Sequence, residues 1–89
     1  MKSQITTEEQ INSVISLYSS GHVEDAIDAV EILIKDNPYE AKLQNISGIC
    51  YAALGNLDRA VLCYEEALKI KPNYVEALNN LGITFHNLG

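Results

Sequence analysis

Apolar residues recur along this chain at the three- and four-residue spacings of an α-helix. The clearest case is the last segment, in which Leu78, Leu81, Phe85 and Leu88 follow one another at intervals of 3, 4 and 3 residues. No stretch alternates apolar and polar residues as a half-buried strand would, and Leu, Ile, Ala, Glu, Asn and Lys dominate. The pattern predicts an all-α chain.

The sequence also repeats itself with a period of 34 residues. Gly21, Gly55 and Gly89 are separated by this interval, and so are Pro38 and Pro72. A period of this length indicates stacked helical units, each too small to bury its apolar face alone. We expect a single domain composed of repeat 1 at about 7–40, repeat 2 at about 41–74 and a partial repeat 3 at about 75–89.

Each unit is predicted to hold two antiparallel helices joined at the glycine. The first helices are expected at about 7–20, 40–54 and 74–88, and the second helices at about 23–36 and 57–70. Asn56 is a predicted N-cap, and Asn73 with Glu76, like Thr6 with Glu9, has the spacing of a capping box.

Small residues predict close helix approach in the second unit, where Gly48 is expected to face Ala60 and Ala67 with Tyr64 alongside. The first unit departs from this pattern. It has Val14, Val30 and Leu33 at the places of Gly48, Tyr64 and Ala67. At the contact between the two helices of a unit, which we call the seam, side-chain volume has therefore moved from one side to the other.

The stretch GICYAALGNLDRAVLCYEEALKIKP resembles the tetratricopeptide repeat, and the resemblance extends over residues 7–89. The residues that carry it are Gly48, Tyr51, Gly55, Ala60, Tyr64, Ala67 and Pro72. The segment NYVEALNNLGITFHNLG is most similar to the repeats of O-GlcNAc transferase and related bacterial arrays. The resemblance implies a right-handed α-solenoid of about two and a half units and five helices, and we expect a fragment of a longer array.

In this family the first helices line a concave groove that binds a protein or peptide partner. The resemblance places the following residues there: Ile11, Ile15, Tyr18, Lys42, Asn45, Ile49, Asn79, Asn80, Ile83 and His86. An isoleucine row would hold apolar side chains, and the asparagine amides could bind an extended backbone. The alternative is that the asparagines are merely tolerated on an exposed face and the isoleucines belong partly to the core.

Two finer forms of binding receive little support from the sequence. Asn80 matches the asparagine ladder of O-GlcNAc transferase, but Asn12 and Ile46 flank it in register, so the ladder is weak. A clamp for a free C-terminal carboxylate is not expected, because Lys42 is the one groove cation. The positions that supply such a clamp with Lys, Arg and Asn are occupied here by Ile11, Ile15, Ile46 and Glu76.

Charge and composition disfavour several classes of partner and location. The net charge is -6, which disfavours nucleic acid and anionic membranes. The start of the chain has no apolar segment of a signal peptide, and no apolar run is long enough to insert in a membrane. Cys50 and Cys63 are interpreted as small buried hydrophobes in a cytoplasmic protein, with metal and redox roles as weaker alternatives.

No catalytic, metal-binding or cofactor motif can be found, so we expect a non-enzymatic protein. His22 and His86 have no acid or thiol at ligand spacing. Glu24, Asp28 and Glu31 form a stripe that is interpreted as a solvated face, with docking of a basic partner as the alternative.

Two other functions stay open beside peptide binding. The stripe of Leu78, Leu81, Phe85 and Leu88 would be left uncovered in this chain, which predicts self-association as a homodimer through the last helix. The chain could also be the N-terminal targeting part of a transferase, as in the arrays that the last segment resembles.

Overall fold

The computed structural model describes residues 7–89, and within them the chain forms five α-helices and no strand. The helices are α1 (Thr7–Ser19), α2 (Val23–Asp36), α3 (Ala41–Ala53), α4 (Leu57–Ile70) and α5 (Val75–Leu88). The predicted all-α class is confirmed, and every predicted helix lies within about one residue of its observed bounds.

The tight turns inside the two hairpins are closed by glycine. Gly21 and Gly55 have φ angles of 87° and 82°, which side-chain-bearing residues rarely adopt. In each turn the following residue donates its backbone N–H to a carbonyl five positions back: His22 to Leu17 and Asn56 to Tyr51. This pattern is the Schellman motif, which satisfies the last carbonyls of the helix and reverses the chain.

Only some of the helix N-caps that were predicted from the sequence are observed. Asn56 caps α4 as predicted, because its side-chain oxygen accepts a hydrogen bond from the Arg59 backbone N–H at 3.3 Å. The capping box predicted at Asn73 is wrong, since α5 begins after Tyr74 and has no side-chain cap. The box predicted at Thr6 lies outside the described residues.

The five helices zigzag between two layers. In one layer α3 touches both α1 and α5, and in the other α2 packs on α1 and α3 while α4 packs on α3 and α5. The stack measures 52 × 28 × 17 Å between its outermost Cα atoms. Each second helix therefore joins two consecutive first helices, which is the arrangement of a helical repeat solenoid.

The closest approach inside the second unit is made at Gly48. A Cβ atom added to Gly48 would lie only 2.5 Å from Cε1 of Tyr64 and 2.9 Å from its Cζ, and the Tyr64 ring is buried. The sequence placed Ala60 and Ala67 against Gly48, whereas the aromatic ring itself occupies this position. Ala60 and Ala67 are fully buried on the same helix.

The first unit fills the equivalent place differently. Val14 and Val30, one period before Gly48 and Tyr64, are both buried in the main core cluster together with Leu33. At the seam, the first helix therefore has a larger side chain than in the second unit, valine in place of glycine, and the second helix has a smaller one, valine in place of tyrosine. The compensation predicted from the sequence is therefore compatible with a closed core in both units.

Gly48→Ala should destabilise the chain, whereas Gly82→Ala should stabilise it. The first substitution forces the buried Tyr64 ring to move, at a cost of about 1–3 kcal/mol from overpacking. A Cβ at Gly82 meets no atom within 4 Å, so the substitution keeps only the gain in helix propensity of about 0.5–1 kcal/mol. Chemical denaturation at low micromolar concentration measures both values, and equal shifts of the same sign would refute this assignment of the seam.

Candidate functional site

An apolar depression opens between α1, α3 and the start of α5. Its volume is about 370 Å³, comparable to that of small-molecule or side-chain sites. We call it the groove, and its lining is Ile15, Tyr18, Ser19, Lys42, Asn45, Ile46, Ile49, Cys50, Tyr74 and Glu76. Five of the residues predicted for the site are in this set: Ile15, Tyr18, Lys42, Asn45 and Ile49.

The isoleucine row lies on the accessible side of this layer. Ile15 is 40 % exposed, Ile83 is 59 % exposed, and Ile49 between them is half-buried. These three side chains are one repeat period apart on α1, α3 and α5. An exposed aliphatic row along neighbouring helices is a surface that gains free energy when a ligand covers it.

The asparagine row is not a free row of amides. Asn45 is only 5 % exposed, and its Oδ1 accepts a hydrogen bond from Nδ2 of Asn80 at 3.1 Å. Asn79, which lies one repeat period after Asn45, is exposed on α5. The amide of Asn45 therefore joins α3 to α5 at the floor of the groove.

Ile11 also differs from its predicted place. It is buried in the core with Val14 and Ile27, so its side chain has little surface with which to contact a ligand. Helix α1 turns this position inward toward α2, while Ile15, one turn later, faces the groove. His86 is exposed but is not part of the groove lining.

One end of the groove combines an aromatic hydroxyl with two opposite charges. Burial raises the pKa of Tyr74, the charge of Glu76 adds to the rise, and a hydrogen bond with Asn45 opposes it. The hydroxyl is thus a neutral hydrogen-bonding group at physiological pH. Lys42 and Glu76 are both exposed, and within residues 7–89 they do not form an ion pair with each other.

The other five lining residues are not among the ten predicted for binding: Ser19, Ile46, Cys50, Tyr74 and Glu76. Ile46 and Cys50 are one turn apart on α3, and the helical period through Lys42 could have found them. Tyr74 precedes α5 and belongs to the turn between units, where no periodic signal exists.

The two cysteines have the character of packed apolar side chains. Burial raises the pKa of Cys50 to about 11, and the neighbouring Cys63 adds to the rise. Burial also raises the pKa of Cys63, whose thiol donates to Oγ of Ser47 at 3.5 Å. Both thiols are protonated at neutral pH, which leaves them poor nucleophiles and poor metal ligands.

The acidic stripe on α2 is only partly a free surface. Glu24 and Asp28 are exposed, but Glu31 accepts a hydrogen bond of 2.7 Å from the Tyr51 hydroxyl. Arg59 donates to the same hydroxyl at 3.3 Å and lies 5.0 Å from the ring centroid. Glu31 therefore also links the first unit to the second.

The described residues hold no group of three His, Cys, Asp or Glu side chains arranged to bind a metal ion. Across the same part of the chain, each helix is too short or too polar to cross a membrane. On α5 the predicted self-association residues Leu78, Phe85 and Leu88 are exposed, and Leu81 is partly buried.

Comparison with known proteins identifies the repeat. The family model described as TPR repeat matches residues 49–89, from the middle of α3 to the end of α5. The first TPR of Spaghetti (RPAP3), solved with the HSP90 peptide SRMEEVD, has a similar fold with a TM-score of 0.51 at 18 % identity. The alignment covers 89 % of this chain and 90 % of that one. The tetratricopeptide-repeat resemblance is confirmed.

The curated relatives include peroxisomal targeting signal receptors. The chain is 29 % identical to that of Saccharomyces cerevisiae over 87 residues, and 30 % identical to that of Candida albicans over 80 residues. These alignments cover 98 % and 90 % of the chain but only 14 % of either receptor. The uncharacterized protein ycf37 of Pyropia yezoensis is 45 % identical over 49 residues, 55 % of the chain and 28 % of ycf37.

The narrower resemblance to O-GlcNAc transferase arrays stays a prediction. The match of the family model begins after the first unit, in which Val14, Val30 and Leu33 depart from the repeat pattern.

Asn45→Ala should lower the free energy of unfolding by about 1–2 kcal/mol, because it removes the buried acceptor of Asn80. Asn79→Ala is the matched control, since an exposed substitution of this kind changes stability by about 0.5 kcal/mol or less. Urea denaturation of both variants measures the difference. Equal stabilities would show that the Asn45–Asn80 hydrogen bond does not support the groove.

Proposed function

We propose that this chain of tetratricopeptide repeats is a protein-interaction scaffold that binds a segment of a partner protein in the groove. The observation that carries the proposal is the exposed row of Ile15, Ile49 and Ile83 beside an apolar depression of about 370 Å³. A rigid two-layer stack presents this surface without needing to rearrange.

The chemistry of the groove favours a ligand with large apolar side chains. One such side chain would enter between Ile15 and Ile49, and burial of a leucine- or phenylalanine-sized group contributes about 1.5–3 kcal/mol. The amide of Asn45 is occupied by Asn80, and the buried Tyr74 hydroxyl hydrogen-bonds with Asn45. The ligand backbone would therefore be held by the exposed lining groups, Lys42 and Glu76. The ligand that fits is an internal apolar segment of a protein.

The relatives support this class of function. Two of them are named as receptors for a peroxisomal targeting signal, and the similar solved structure holds a peptide. Because the chain spans 14 % of those receptors, the resemblance supports peptide binding in general and no particular cargo. Absence of catalysis and a cytoplasmic location stay part of the proposal, as does membership in a longer array that could carry a transferase.

Self-association through α5 uses a different face from the groove. The side chains of Leu78, Phe85 and Leu88 are about half exposed. Ile83, the member of the isoleucine row on α5, lies on the other side of that helix by the 3.6-residue period. The two functions are therefore separable by substitution.

Replacement of Ile15 and Ile83 by serine should weaken binding of peptides selected from a displayed random library against the intact chain. Both side chains are already exposed, so the fold should be kept while the apolar contact is lost. Ile32→Ser is the matched control, because Ile32 is 62 % exposed on α2. Fluorescence anisotropy with a selected peptide measures the affinities, and we expect a loss of tenfold or more, about 1.4 kcal/mol.

The opposing result would come from the acidic face. If Glu24→Lys with Asp28→Lys abolished binding while the isoleucine changes did not, the ligand would be a basic partner on α2. Glu31 is left unchanged in this test because it also accepts a hydrogen bond from Tyr51.

The HSP90 peptide SRMEEVD should not bind this chain, although it binds the similar structure. The peptide carries three acids and one arginine, and the chain has a net charge of -6. The groove offers Lys42 as its one cation among the described residues, and Glu76 lies beside it in register. Calorimetry should give a Kd weaker than about 1 mM.

A micromolar Kd for this peptide, lost on Lys42→Ala, would contradict the proposed ligand class. It would mean that the groove reads a free carboxylate with a single lysine. The isoleucine test above would still report separately on whether the groove is the binding face.

A further inference from the structure

The two ends of the groove differ in chemistry. Ile15 and Ile49 line one end, and Lys42 and Glu76 line the other, near the starts of α3 and α5. Ile49 lies seven residues after Lys42, so it follows two helical turns later on the same side of α3. A ligand in the groove therefore meets an apolar surface and a charged surface that are about 10 Å apart along the helix axis.

Two carboxylates lie beside the charged end of the groove. Tyr74 belongs to one buried cluster with Ala41 and Ala77, the residues that directly follow Glu40 and Glu76. Both glutamates are exposed. Burial is the main cause of the raised pKa of Tyr74, but the charges of Glu76 and then Glu40 add to it. Both carboxylates therefore act on the same place, at the charged end of the groove.

The lysines near this end leave the carboxylates available. Within residues 7–89 neither Glu40 nor Glu76 forms an ion pair. Lys71 holds its Nζ 5.0 Å from the centroid of the Tyr74 ring and is not part of the groove lining. Lys42 lines the groove, and its ammonium group can donate to carbonyl oxygens of a ligand backbone. A cation on the ligand would thus reach the two carboxylates without displacing an existing ion pair.

We propose that the ligand is an extended internal segment with a large apolar side chain and, three residues away, a lysine or arginine. This inference rests on the proposed function of the groove. The apolar side chain lies between Ile15 and Ile49, and the basic side chain reaches Glu40 and Glu76. In a polyproline II conformation, residues three apart face the same side and are separated by about 9 Å, which fits the distance between the two ends.

The charge of the surrounding chain favours the same class of ligand. The net charge is -6, and residues 7–40 carry eight acids and one base. Attraction over this range raises the association rate of a basic segment. An acidic segment would be repelled by the same field, with Lys42 as the one lining residue to attract it.

Selection of displayed peptides, flanked on both sides by fixed sequence, against the intact chain tests the inference. The wild-type chain should enrich Lys or Arg three positions from a large apolar residue. Glu76→Lys should remove this enrichment, because it replaces one of the two carboxylates with a cation. Glu24→Lys is the matched control and should keep the wild-type preference. Glu24 and Glu76 are both exposed, and each is the second residue of its helix.

Fluorescence anisotropy with a selected peptide measures the contribution of the basic residue. Its replacement by glutamine should weaken binding about threefold to fivefold at low salt, as for an exposed ion pair. High salt should reduce this difference. The replacement should matter little for the double variant Glu40→Gln with Glu76→Gln, in which both carboxylates are neutral. Lys42→Gln should tighten binding of the unchanged peptide, because it removes a like charge and keeps a hydrogen-bond donor.

The outcomes separate this inference from the proposed function. Selected peptides that need Ile15 and Ile83 but show no preference for a basic residue would overturn the inference and leave the groove as the binding face. A basic preference that survives in the double glutamine variant would also overturn it, because the cation would then bind elsewhere. Peptides that bind equally well after Ile15→Ser with Ile83→Ser, or a selection that yields no binding peptide, would overturn both.

Discussion

The close approach of α3 and α4 at Gly48 is the contact on which the rest of the structure depends. The Tyr64 ring lies where a side chain at position 48 would have to be. The thickness of the ring therefore determines the distance between α3 and α4 at this point. Buried packing of this kind fixes the rotation of α3 about its own axis. That rotation turns Lys42, Asn45 and Ile49 toward the groove. It also leaves Cys50 at the boundary between groove and core.

The same seam takes three forms along the chain, and each has a different consequence. In the first unit a valine pair, Val14 and Val30, closes it, and in the second unit Gly48 and Tyr64 do so. In the third unit no side chain of residues 7–89 fills the equivalent place at Gly82. The groove is formed by the layer of first helices, and the exposed Leu78, Phe85 and Leu88 lie on the last helix described.

The period of 34 residues made most of the fold predictable, because glycine and proline positions determine where helices end. Exposure was harder to predict, since a residue's place in the period does not tell how far the next unit covers it. Ile11 and Asn45 occupy groove positions in the period, yet α2 and α5 bury them. The hydrogen bond between Asn45 and Asn80 joins different register positions, so no alignment of the repeats could show it. Tyr74 lies in a turn, where helical periodicity gives no information.

Backbone amide chemical shifts of the labelled chain, recorded with a peptide selected from a displayed library, test the central claim most directly. If the groove is the binding face, the largest changes will fall on Ile15 and Ile49 in the groove and on Ile83 beside it. The amides of α2 around Glu24 and Asp28 will change little. Changes centred on α2, with the isoleucine row unaffected, would contradict the claim that this stack of repeats binds its partner in the groove.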